Sequence, residues 1–84
     1  MTKNELLKRI ISSKYGPIAH AHMADFLIEN GLSSVSFNLD GVVFEQHFLA
    51  DDSCIYLVDG KKVETLVFLN TLTSSIKLHN KRGM

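Results

Sequence analysis

Leu6, Leu7, Ile10 and Ile11 fall on one side of a helix at 100° per residue, and Lys8, Arg9 and Ser12 fall on the other. Thr2 and Glu5 stand three apart as a capping box, which marks the start of this first helix. Gly16-Pro17 ends the segment, because the residue before a proline is pushed out of helical geometry. Pro17 then suits the first turn of a second helix, and Gly31 suits the left-handed position just past its end. Between them, Ala19, Met23, Phe26 and Leu27 form one apolar stripe. Ala21, Ala24 and Ile28 form another on nearly the opposite side, so this helix should be covered twice.

From residue 34 the period changes from 3.6 to two. Val35, Phe37 and Leu39 alternate with Ser34, Ser36 and Asn38, and Asp40-Gly41 is a two-residue hairpin signal. That turn sets Leu39 opposite Val42 and Phe37 opposite Phe44, which agrees with the register required by the pattern. Asp51-Asp52 is taken as the next turn, placing Phe48 opposite Ile55 and Gln46 opposite Leu57. The core face expected from this is Val35, Phe37, Leu39, Val42, Phe44, Phe48, Ile55 and Leu57. Cys54, Tyr56 and Val58 then belong to the reverse face with Glu45 and His47.

After Asp59-Gly60 two outcomes compete. The β-branched Val63, Thr65 and Val67 suit a fourth strand, whereas the length of the run through Lys77 suits a helix. The helix is preferred, and residues 79–84 are expected as a frayed polar tail. The predicted architecture is a single α+β domain over residues 1–84, in the order α-α-β-β-β-α. A three-stranded antiparallel meander packs against the two N-terminal helices, and the last helix covers the reverse face or mediates self-association.

With 84 residues the chain has room for one core, and its 45% apolar content is that of a globular protein. No apolar stretch is long enough for a bilayer, and the charged N-terminus is unlike a signal peptide, so a cytoplasmic location is expected. A lone Cys54 fits a reducing compartment. Nine Lys+Arg balance nine Asp+Glu, but not locally. Residues 1–14 carry four cations and one acid, residues 15–60 carry seven acids and no Lys or Arg, and residues 61–84 carry five cations and one acid. Either the basic ends fold back over the acidic middle, or an acidic surface meets a basic partner.

Candidate chemistry is thin. His20 and His22 point about 200° apart on a helix and cannot grip one ion. Glu45, His47, Asp51 and Asp52 are better explained as a polar sheet face and turn than as a metal site. Cys54 and His47 would be diagonal neighbours, a remote catalytic pair without an orienting third residue. Phosphate loops and nucleophile elbows are missing from the sequence, and no cofactor or metal is implied. Two short helices followed by a hairpin resemble a winged helix, but the second helix carries Asp25 and Glu29 rather than bases' usual partners.

The expected function is therefore a small non-catalytic interaction or regulatory protein, an accessory factor or inhibitor. Its acidic surface would be Asp25, Glu29, Glu45, Asp51 and Asp52. Homodimerisation through Ala21, Ala24 and Ile28, or through Leu69, Leu72 and Ile76, would add stability to so small a domain. The alternative is a nucleic-acid accessory protein using Lys3, Lys8, Arg9, Lys77, Lys81 and Arg82.

Overall fold

The computed structural model describes residues 1–82. Its elements are α1 (Lys3–Ser12), α2 (Gly16–Asn30), β1 (Ser34–Leu39), β2 (Val42–Phe48), β3 (Cys54–Val58), β4 (Lys61–Val63) and α3 (Thr65–Arg82). The fold is α+β as expected, with one short strand added to the meander. The sheet is antiparallel throughout, in the order β1-β2-β3-β4.

The helix boundaries follow local chemistry. The Thr2 hydroxyl oxygen accepts the Glu5 N–H at 3.2 Å and donates its own proton to the Glu5 carboxylate at 3.3 Å. At the other end of the helical pair, Gly31 adopts φ 62° and the Leu32 N–H donates to the Leu27 carbonyl at 3.0 Å, closing α2 with a left-handed cap. Gly16 serves contact rather than conformation. It sits against the Leu69 carbonyl oxygen and Thr73 Oγ1 of α3, where a β-carbon has no room.

The β1–β2 hairpin has the expected register, Phe37 opposite Phe44 and Leu39 opposite Val42, across an Asp40-Gly41 turn with φ 53° and 88°. The β2–β3 register differs from expectation by one residue. Cys54 lies opposite Phe48 and Tyr56 opposite Gln46. The loop holds three residues, Ala50–Asp52, rather than two. Leu49 N–H donates to Ser53 O, Asp52 N–H donates to Leu49 O, and Asp52 takes the left-handed position at φ 65°. One extra residue turns β3 over. Tyr56 therefore faces the core, with Cys54 and Val58 packed against it, while Ile55 and Leu57 go to the reverse face. Gln46 joins the core face as well and is 1% exposed.

The preferred C-terminal helix forms, and the competing strand is realised only over Lys61–Val63, since Thr65 and Val67 lie in the helix. Asp59-Gly60 makes a third hairpin turn, β4 pairs Val63 with Tyr56, and α3 starts two residues later. α3 does not cover the reverse face. Its Phe68, Leu72 and Ile76 enter the same core as α1, α2 and the sheet, with Phe68 edge-on to Phe44 at 5.7 Å. Nor does the chain fray at residue 79. His79 Nδ1 lies 2.9 Å from Asp40 Oδ1, and Asn80 Nδ2 donates to the Ile11 carbonyl at 3.0 Å, so the helix is held to Arg82. The last two residues of the expected tail lie outside the described residues.

The molecule is thus two-layered, with all three helices contributing to one core on one side of the sheet. The ladder phase is set by the Phe48 N–H donating to Ser33 O. That phase turns the backbone N–H and C=O groups of Ser34, Ser36 and Asn38 outward along the free edge of β1. Among the described residues, no helix is long and apolar enough to cross a membrane.

Candidate functional site

Helices α1 and α3 end together. The Asn80–Ile11 bond ties their last turns, and the short link Ser13–Tyr15 carries the chain from α1 into α2 beside them. Ser13, Lys14, Tyr15, Ile76, Lys77 and Asn80 line a cleft of about 360 Å³ at this end. A second cleft of about 430 Å³ shares Ser13 and Lys14 and runs along α1 past Lys8, Arg9, Ile18 and His22. Lys81 follows Lys77 by four residues on the same side of α3, and Arg82 is the last described residue of that helix. The structure therefore brings Lys8, Arg9 and Lys77 of the sequence-predicted basic set to the clefts at one end, with Lys81 one turn beyond, while Arg82, five residues after Lys77, projects about 140° away from it around the helix. Lys3 is apart from them, in a groove with Phe26 and Leu32 beside the start of β1.

These cations are not neutralised by the acidic middle. Among the described residues the Met1 ammonium pairs with Glu29 at 3.0 Å, and two histidines hydrogen-bond to carboxylates, His47 with Glu45 at 3.0 Å and His79 with Asp40 at 2.9 Å. The chain does fold its ends back on the middle, but through the N-terminus and a histidine. No Lys or Arg among the described residues pairs with a carboxylate. Arg9, Lys81 and Arg82 stand in the last turns of their helices, where they also oppose the negative dipole end. That effect is worth about 0.3–1 kcal/mol per charge and needs no such convergence of two helices.

Two features of this end were not visible as a site in the sequence. Lys14 and Tyr15 occupy the three-residue link and read there simply as loop. Tyr15 is 54% exposed, yet its backbone is fixed on both sides. Ser13 N–H donates to Ile10 O and the Ser13 hydroxyl to Arg9 O; beyond Tyr15, Gly16 N–H donates to Thr73 Oγ1. The Tyr15 carbonyl itself accepts from Ile18 and Ala19 N–H. A basic residue next to an exposed aromatic, wedged before Gly16-Pro17, was the available signal.

The expected acidic set is dispersed. Asp25 and Glu29 lie on the exposed side of α2, with Glu29 held by the N-terminus. Glu45 is on the reverse face of the sheet with His47, and Asp51 and Asp52 are in the β2–β3 loop. The Ser53 hydroxyl donates to Asp51 Oδ1 at 2.6 Å and holds that carboxyl below its ordinary range. The expected self-association set divides. Ile28 is 76% exposed and Ala21 is exposed, with Ala24 half-buried. Leu72 and Ile76 are instead sealed in the monomer's own core, with Leu69 packed against it, because α3 joins the helical layer.

The one-residue register difference also separates Cys54 from His47, which now lie on opposite faces of the sheet. Cys54 is a free thiol inside a polar seam through the core. Gln46 Nε2 donates to Cys54 Sγ at 3.8 Å, and Tyr56 Oη is 3.0 Å from His20 Nε2. Burial lowers the His20 pKa. Burial, with Cys54 adding to it, raises that of the Tyr56 phenol. Among the described residues, Gln46 Oε1 and His22 Nδ1 are buried without a hydrogen-bond partner. Among the described residues, no three His, Cys, Asp or Glu side chains converge as metal ligands do. No protein-family model, curated protein or solved structure matches this chain.

Proposed function

We propose that this chain is a small non-catalytic binding protein that docks a polyanion on the end formed by α1, α3 and the Ser13–Tyr15 link. The observation that carries the proposal is the gathering of Lys8, Arg9, Lys14 and Lys77 along these two clefts, with Lys81 one turn beyond Lys77; among the described residues no carboxylate pairs with any of them. Zero net charge does not oppose it, because a local field acts over about a Debye length, about 8 Å at physiological salt. The free thiol Cys54 suits action in a reducing, cytosolic compartment.

Retention on immobilised heparin tests this, since heparin offers anionic charge without bases or a protein surface. The wild-type chain should be retained at low salt and released as salt rises. Lys77→Glu with Lys81→Glu should pass through unretained, while Asp51→Asn with Asp52→Asn should elute no earlier than wild type. Equal retention of the charge-reversed and wild-type chains would place binding elsewhere and end the proposal. So would wild-type protein that flows through at low salt.

A further inference from the structure

We infer that the polyanion is a single strand of nucleic acid, with one base stacked on the ring of Tyr15 and the flanking phosphates on Lys14 and Lys77. This rests on the polyanion reading above and goes beyond it by naming the ligand and the residue that selects it. The cleft holds the two things a single strand requires, cationic groups for the backbone and a half-exposed aromatic side chain for a base. Lys14, Tyr15 and Lys77 line the same cleft, so a sugar-phosphate chain following the lysines passes the ring. Tyr15 has no aromatic neighbour among the described residues, and about half its surface is open. The rigid backbone on either side means that little order is lost when a base settles on it.

Two other anionic partners fit less well. Duplex DNA is read by an element that enters a groove, and here the aromatic lines a recess between helices. A bilayer surface takes an amphipathic helix laid flat with its apolar side chains immersed. The polar Ser13 and Asn80 share the cleft with Tyr15, and they give it no such face.

The test is fluorescence anisotropy of a labelled oligothymidine of about 15 nucleotides. Heparin, duplex DNA of the same length and anionic phosphatidylserine vesicles serve as parallel ligands. Wild type should bind the oligothymidine with a log–log salt slope of about −1.4 to −3, as the two contacts at Lys14 and Lys77 give alone or with up to two more from the neighbouring cations. Tyr15→Ala should weaken that binding about tenfold or more, the loss expected for one stacked base, and by a far larger factor than it weakens heparin binding. Tyr15→Phe, which keeps the ring, should stay within about threefold of wild type. If Tyr15→Ala binds oligothymidine as well as wild type while the lysine reversals abolish it, stacking is refuted and the polyanion site stands. If Tyr15→Ala loses heparin and oligothymidine alike, the ring has no base-specific part and the inference fails. Tighter binding to duplex or to vesicles than to the single strand overturns it too. Absence of binding to every ligand by the wild-type chain removes both proposals together.

Discussion

Replacing Gly16 by alanine sets two effects of opposite sign against each other. Alanine in place of glycine at a helix start reduces the freedom of the unfolded chain and stabilises by about 0.4–1 kcal/mol where the site has room. Gly16 has no room. The added carbon would fall inside contact distance of the Leu69 carbonyl oxygen and of Thr73 Oγ1. Neither can step aside. The carbonyl belongs to the α3 backbone, and the hydroxyl is held between Leu69 O at 2.9 Å and the Gly16 N–H. α2 must lift from α3, and overpacking of this kind costs about 1–3 kcal/mol. The Gly16–Thr73 hydrogen bond lost with it is worth about 0.5–1.5 kcal/mol more. The clash wins, and Gly16→Ala should be less stable by about 1–3 kcal/mol, a fall in Tm of about 5–20 °C for a domain of this size. Urea denaturation followed by circular dichroism, with an unchanged m value, is the measurement. Adding Thr73→Ala removes the hydroxyl but leaves the carbonyl, so it should not restore stability. A Gly16→Ala chain as stable as wild type, or full rescue by Thr73→Ala, would refute the account of the α2–α3 contact.

Two further tests probe the polar seam. Gln46→Met keeps the volume of the side chain and removes a buried oxygen that has no partner among the described residues, at the loss of only the long 3.8 Å bond to Cys54 Sγ, so the chain should gain about 0.5–2 kcal/mol in the same urea assay. A loss of more than about 1 kcal/mol would mean that the amide is fully bonded. His20 has a folded-state pKa below its ordinary 6.5, so the unfolded chain takes up its proton first as pH falls. The stability His20 allows is complete above pH 6.5 and is lost as pH falls through that value toward the folded-state pKa. Urea midpoints across this window should decline less in His20→Gln than in wild type; parallel declines would show that other groups carry the effect.

The sequence predicts an element well where two independent signals agree. For α1 these are the capping box and the apolar stripe, and for the first hairpin they are the alternation and an Asp40-Gly41 turn whose φ values are both positive. β3 offered no second signal. Cys54, Tyr56 and Val58 are apolar enough for a core, and so are Ile55 and Leu57. Its face therefore depends on loop length alone. Asp-Asp is a poor pair for a two-residue turn, which needs positive φ twice; only Asp52 takes it, in a three-residue loop. The same blindness hid Gln46, whose place on the core face follows from period two but conflicts with its polarity. At the candidate site, the charges were countable but their meeting was not. The ends of α1 and α3 are 69 residues apart at the Asn80–Ile11 bond, and only the tertiary packing of α3 joins them.

The two margins of the sheet are unequal, and this gives the molecule a direction. β4 spans three residues and leads at once into a helix, so it offers little to a newcomer. β1 spans six residues without proline, glycine or any charged side chain, the features by which proteins ordinarily discourage strand addition. Growth of the sheet by recruitment of an extended segment, wanted or not, proceeds outward from Ser34, Ser36 and Asn38, and a single lysine at Ser36 is the smallest guard against it.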